Sequence, residues 1–147
     1  MRISAKSRYA LAALIQMGQN SSAGELITIA SLSESLGISK IYLEQVFSLL
    51  KRGGIVTSTQ GSQGGYQLAR SMREISALDI LRSIELALFQ QADKTVADSS
   101  PGIESVLQND VFGVLDAVIP ETLKQITLET LVAKAAQYGG DGGMYYI

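Results

Sequence analysis

The 147-residue chain has a restricted set of side chains able to do chemistry. It contains no cysteine and no histidine. That excludes disulfides, thiol redox sensing, zinc sites and cysteine-ligated iron–sulfur clusters. It also removes the commonest general base and nucleophile. No grouping of Asp, Glu, Lys and Ser assembles a catalytic set, so neither an enzyme nor a cofactor is expected. Recognition chemistry is what remains, and it concentrates in residues 39–52. Lys40, Ile41, Tyr42, Glu44, Gln45, Ser48 and Arg52 fall away from an apolar stripe of Leu43, Val46, Phe47 and Leu50. An outward face of amide, carboxylate and guanidinium groups suits base edges: Gln to adenine, Glu to cytosine, Arg to guanine. Ile41 either meets a thymine methyl or is a plain surface isoleucine, and the whole face is otherwise an ordinary solvated one.

The flanking elements say how such a face would be held. Ser4 is set to cap a helix over residues 5–18, with Ala10, Leu14 and Met17 at helical spacing. That helix should end near Gly18, before a polar loop over residues 19–24. Thr28 caps a second helix, whose Ile29, Ala30, Leu32 and Leu36 are expected to be buried. Gly37 supplies a left-handed stop, Ile38 fills the corner and Ser39 caps the helix over residues 40–52. Gly53 and Gly54 end it. Residues 55–59 and 66–69 read as two strands of a hairpin, a wing, around the small residues Gln60, Gly61, Ser62, Gln63, Gly64 and Gly65. A flexible hairpin tip is the plainer alternative. Lys6 and Arg8 are either solvated charges or phosphate contacts.

Charge is split along the chain. Residues 1–75 carry eight bases and four acids, whereas residues 76–147 carry four bases and ten acids. A net charge of −2 thus hides a basic half able to meet phosphate. No apolar run approaches the roughly 20 residues of a membrane helix, and no signal peptide is visible, so a cytoplasmic protein with no membrane partner is expected.

The second half reads differently. Ser76 and Asp79 form a near capping box for a helix running to about residue 87, with Leu78, Leu81, Ile84 and Leu88 facing inward. Residues 90–102 should be a loop. A long helix then starts near Ile103. Its Ile103, Val106, Leu107, Val111, Val114, Leu115, Val118 and Ile119 cover more circumference than one packing partner requires. Gly113 in its middle costs about 1 kcal/mol against Ala, tolerable if a second helix approaches closely. A dimer interface and a single-domain core are the competing explanations. Pro120 is expected to restart the chain, and Thr127 to cap a last helix with Leu128, Leu131 and Val132 buried. Gly139, Gly140, Gly142 and Gly143 suggest a flexible tether to Met144, Tyr145, Tyr146 and Ile147. Such a tail suits capture through its last side chain and carboxylate; it otherwise folds back or stays disordered. The expected organisation is a winged helix-turn-helix over residues 1–88, a loop and dimerisation helices over 89–138, and a tail over 139–147. The fold is mainly α with a small β-hairpin.

Four motifs in order sharpen this: MRISAKSRYAL, YLEQVFSLLKRGGIV, GSQGGYQLAR and ISALDILRSIE. Together they resemble the Rrf2 family of bacterial winged-helix repressors, strongly over residues 1–88 and more loosely beyond. The resemblance implies a homodimer crossed through the long helix and bound to a near-palindromic double-stranded operator. It places Ser39, Lys40, Tyr42, Glu44 and Gln45 at the DNA, with the wing residues Gln60, Ser62, Gln63 and Gly64. Thr28, Ile41, Ser48 and Arg52 join them from the reading of the helix faces. Many members have Arg where Gln60 stands, so minor-groove electrostatics should be weaker here. The sensing branches of the family carry three cysteines in the loop after residue 88; this chain has none. The remaining resemblance is to the cysteine-metabolism branch, which implies control through O-acetylserine thiol-lyase, bound by the C-terminal Met144, Tyr145, Tyr146 and Ile147. A protein-interaction module acting through that tail, or a repressor with a small-molecule effector, are the alternatives.

Overall fold

A computed structural model describes residues 1–20 and 25–144. Helices α1 (Ala5–Asn20), α2 (Ile29–Leu36) and α3 (Lys40–Arg52) precede a hairpin of β1 (Val56–Thr59) and β2 (Gly65–Leu68). Then come α4 (Ala77–Ile84), α5 (Pro101–Val106), α6 (Gly113–Lys124) and α7 (Leu128–Met144). The fold is therefore the expected winged helix-turn-helix with a helical arm.

The local signals act as read. The Thr28 hydroxyl accepts from the Ser31 N–H at 3.1 Å and the Ser39 hydroxyl from the Tyr42 N–H at 3.2 Å. Each satisfies one orphan donor of its helix. Gly37 lies at φ 68°, and its N–H returns to the Ser33 carbonyl. Ser76 and Asp79 close a full capping box at 3.0 and 3.1 Å. Leu43, Val46, Phe47 and Leu50 are all fully buried, as are Ala10, Leu14 and Met17.

Ala30 is exposed rather than buried; α2 buries Leu32 fully and packs the half-buried Ile29 and Leu36 against the core. α4 stops at Ile84, one turn short of residue 87, because Glu85 leaves helical geometry at φ −97°, ψ 74°. α1 runs past Gly18 to Asn20, so Gly18 is not a stop. It is a packing site, since a Cβ there would lie 2.5 Å from Val132 Cγ2 and 2.8 Å from Met72 Sδ.

Two short bridges tie distant segments together. Ile27 and Tyr66 exchange backbone hydrogen bonds of 2.8 Å, adding one residue of a third strand to the wing. Ser76 pairs with Thr127, where the Ala77 N–H reaches the Ile126 carbonyl at 2.7 Å and the Leu128 N–H the Ile75 carbonyl at 2.8 Å. Thr127 caps α7 through the Thr130 N–H at 3.2 Å. Leu128 is fully buried in the same core as Leu14 and Phe47, with Val132 packed against it. Helix α7 thus returns to the DNA-binding unit instead of forming a core with the arm.

The arm is one helical column over residues 101–124. A π-helical stretch, Leu107–Phe112, joins α5 to α6, and the Gly113 N–H bonds the Gln108 carbonyl five residues back. A Cβ on Gly113 would collide with that carbonyl, so this glycine serves the π turn within its own helix. The π turn also corrects the reading of the apolar circumference. One extra residue rotates everything after it by roughly 100°. The step of five from Val106 to Val111 then keeps the stripe on one side. On a uniform α-helical wheel the eight apolar residues spread over roughly 220°; with the offset they fall within roughly 140°. Ile103, Val106, Val111, Val114, Leu115 and Val118 are 44–58% exposed, while Leu107 and Ile119 are half-buried.

Pro120 does not restart the chain; it sits inside α6. Its missing N–H orphans the Asp116 carbonyl, and Asp116 is exposed, so water is available to that group. The glycines of residues 139–143 are also helical, in contrast to the expected tether: α7 extends to Met144. Each glycine costs about 1 kcal/mol relative to Ala, but a helix already nucleated gains one hydrogen bond per added residue. Tyr145, Tyr146 and Ile147 lie outside the described residues.

Candidate nucleic-acid interface

Helix α3 stands with its apolar stripe in the core and its other side open. Ile41 is 71% exposed, and Lys40, Glu44, Gln45, Ser48 and Arg52 are all exposed. The buried anchor Phe47 packs on Tyr66 of the wing at 4.8 Å between ring centroids. This sets the hairpin relative to the helix. Strand register pairs Val56 with Leu68 and Thr59 with Gly65, which leaves the tip at residues 60–64. Gln60, Ser62 and Gln63 are exposed there. The tip needs its glycines: Gly61 has φ 103°, and a Cβ on Gly64 would strike the Thr59 carbonyl.

Helix α1 contributes beside α3. Lys6 lines a shallow depression with Ile41, Glu44, Gln45, Ser48 and Leu49, so a cation flanks the amide and carboxylate on the outward side of α3. Arg8 is exposed on the same terminal turns. Thr28 and Ser39 sit at the N-termini of α2 and α3, exposed, with their hydroxyls already used as caps. Tyr42 is half-buried and meets Tyr9 edge-on, with ring centroids 5.1 Å apart. Tyr9 was missed in the sequence reading, although it lies three residues after Lys6 and so on the same side of α1. It links the two helices that carry the exposed polar groups. The face mixes basic side chains and hydrogen-bonding groups on a convex helix beside a hairpin. That arrangement fits a major groove with adjacent backbone contacts.

A family model for Rrf2, described as an iron-dependent transcriptional regulator, matches residues 3–134. The chain belongs to the Rrf2 family. It is 33% identical over 135 residues to the HTH-type transcriptional regulator IscR of Pectobacterium carotovorum subsp. carotovorum (strain PC1), covering 90% of this chain and 79% of that one. Its fold is similar to that of CymR (YrzC), the global cysteine regulator of B. subtilis, with TM-score 0.72 and 30% identity over 91% of this chain and 98% of the other. T. potens IscR is similar at TM-score 0.68 and 30% identity, covering 92% and 88%. This is an Rrf2 helix-turn-helix transcriptional regulator, and its relatives are named as regulators rather than enzymes. Among the described residues no helix is long and apolar enough to cross a membrane.

The iron in the Rrf2 description finds no matching donors. The chain has no thiolate or imidazole, and the described residues hold no group of three or more potential ligands. Residues 89–100 offer only Asp93 and Asp98, both exposed. The loop is instead held by Glu104, whose carboxylate accepts from the Val96 N–H at 3.0 Å and the Thr95 N–H at 3.3 Å. A protein carboxylate thus supplies the internal support of this segment.

Proposed function

We propose that this Rrf2 protein is a homodimeric, sequence-specific DNA-binding repressor that works without an iron–sulfur cluster. The observation that carries the reading is the open face of α3, with Gln45, Glu44 and Ser48 exposed beside Lys6. The exposed stripe on the arm is the surface we assign to the second copy. A dimer would set two recognition helices one helical turn of DNA apart, about 34 Å, on a near-palindromic operator. The DNA contacts we assign are Lys6, Arg8, Thr28, Ser39, Lys40, Ile41, Tyr42, Glu44, Gln45, Ser48 and Arg52, with Gln60, Ser62, Gln63 and Gly64 of the wing. Lys40 and Arg52 stand at the two ends of α3, where they can bridge phosphates. Replacing either by Ala should lower the slope of log affinity against log salt by about 1 for each phosphate contact removed. Titration of a duplex between about 50 and 200 mM salt measures it. Negligible binding of the unaltered protein to every duplex at low salt would end the repressor reading.

The regulon we infer is cysteine or sulfur metabolism. The similarity to a protein named as a global cysteine regulator supports it, as does the lack of cluster ligands in this chain. In this reading O-acetylserine thiol-lyase binds the terminal residues Met144, Tyr145, Tyr146 and Ile147. Deleting residues 145–147 should abolish co-purification with the thiol-lyase and leave the dimer intact; unchanged co-purification would refute that partner. A second reading, a small-molecule effector, has its own support. A cavity of about 310 Å³ lies between α4 and α6, lined by Arg82, Phe89, Leu115 and Asp116 among others. It offers two opposite charges that form no ion pair with each other.

A further inference from the structure

We propose that Glu85 is a positioning residue for DNA binding, fixing the first turn of α1 so that Lys6 is held beside the recognition helix. This rests on the DNA-binding reading above. The Glu85 carboxylate oxygen Oε1 accepts from the Ser4 backbone N–H at 2.8 Å and from the Ser7 hydroxyl at 2.9 Å. The Ser4 hydroxyl in turn accepts from the Ser7 N–H at 3.3 Å. Lys6 lies between the two serines. Ser7 is fully buried, so its hydroxyl has a partner only because Glu85 reaches it.

The chemistry is that of a helix cap supplied from a distant segment. The first N–H groups of a helix lack internal partners, and the positive end of its dipole favours a carboxylate. Helix α1 has no acidic residue in its own first turn. Glu85 provides that charge from 81 residues away. The side chain and N–H of Ser4, then the Ser7 hydroxyl, hold the Glu85 carboxyl below the ordinary carboxylate range, against the opposing effect of burial. Glu85 stays ionised where DNA binding would be measured. Without it the first turn of α1 is free to fray, and Lys6 loses its fixed place. Farther along α1, the shared core and the contact of Tyr9 with Tyr42 join it to α3, beyond the part that Glu85 secures.

The sign of the effect separates this from charge alone. Removing a carboxylate from a protein that binds a polyanion should strengthen binding if repulsion is all it does. Positioning requires the opposite. The test uses the full chain and a short mixed-sequence DNA duplex followed by fluorescence anisotropy. Glu85→Ala is expected to weaken binding about 3- to 30-fold and to lower the salt slope by about 1. Glu85→Gln keeps an acceptor oxygen for the same two donors and should stay within about 3-fold of the parent protein, since it retains neutral hydrogen bonds. Lys6→Ala should cost much less in the Glu85→Ala background than alone, because the two act through one contact. Unchanged or tighter binding by a Glu85→Ala protein with a native circular dichroism spectrum overturns the proposal. So does strict additivity with Lys6→Ala. Failure of the parent protein to bind the duplex overturns the DNA-binding reading itself, which separates the two failures.

Discussion

A Val118→Asp variant is expected to sediment as a monomer and to lose about 100- to 10,000-fold in affinity for an operator with two half-sites. Val118 is 54% exposed near the middle of α6, on the stripe that the π turn keeps in line. In a symmetric dimer the substitution enters the interface twice. Each carboxylate would lose its water without gaining a partner, at a cost of several kcal/mol per ion. The fold itself should be spared, because the position contributes nothing to the buried core. The DNA loss follows from geometry. Two recognition helices on one body bind their half-sites as one event, and separate monomers must bind twice. Sedimentation at micromolar protein and titration of one-half-site and two-half-site duplexes measure both effects. A variant that still sediments as a dimer would remove α6 from the interface.

The second large effect is at Gln45. Gln45→Ala is expected to cost about 1–3 kcal/mol for each operator half-site, while mixed-sequence duplex changes little. Gln45 is exposed one turn into α3 and shares a depression with Lys6, Glu44 and Ser48. Its amide can donate and accept at once, the pattern that adenine presents in the major groove. Phosphate contacts position the protein without reading sequence. The signature of base reading is therefore a specific loss with the salt slope unchanged. An operator selected by the unaltered protein from random duplexes supplies the probe. Equal losses on operator and mixed sequence would assign Gln45 to the backbone instead.

How much of this was legible from the residues depends on the distance over which each signal acts. Thr28, Ser39 and Ser76 were readable as caps because the donors they satisfy lie three residues away. The core stripe of α3 was readable because its spacing repeats within one helix. The bridges of Ile27 with Tyr66 and of Ser76 with Thr127 were not, since one paired residue leaves no alternation to detect. Gly18 read as a helix end because the side chain that needs the space, Val132, belongs to the last helix. Glu85 was invisible for the same reason: its partners are Ser4 and Ser7. Pro120 reads locally as a break, but the carbonyl it deprives of a donor belongs to the exposed residue Asp116. On α3 the outward side was legible as exposed residues at Lys40, Ile41, Glu44, Gln45, Ser48 and Arg52, whereas Tyr42 is half-buried. The link of α3 to α1 through Tyr9 and Tyr42 was not legible.

The π turn before Gly113 has a consequence for kinship as well as for shape. Length changes in proteins usually fall in loops, where they leave the packed surfaces alone. Here one residue of extra length is stored inside a helix, and it decides which way the following apolar side chains point. A relative with the same residues on an uninterrupted helix would show its stripe turned by roughly 100°, and the two chains would meet out of phase. In the proposed dimer, helical phase would therefore work as a pairing code, keeping the two copies to their own kind even among chains of similar composition.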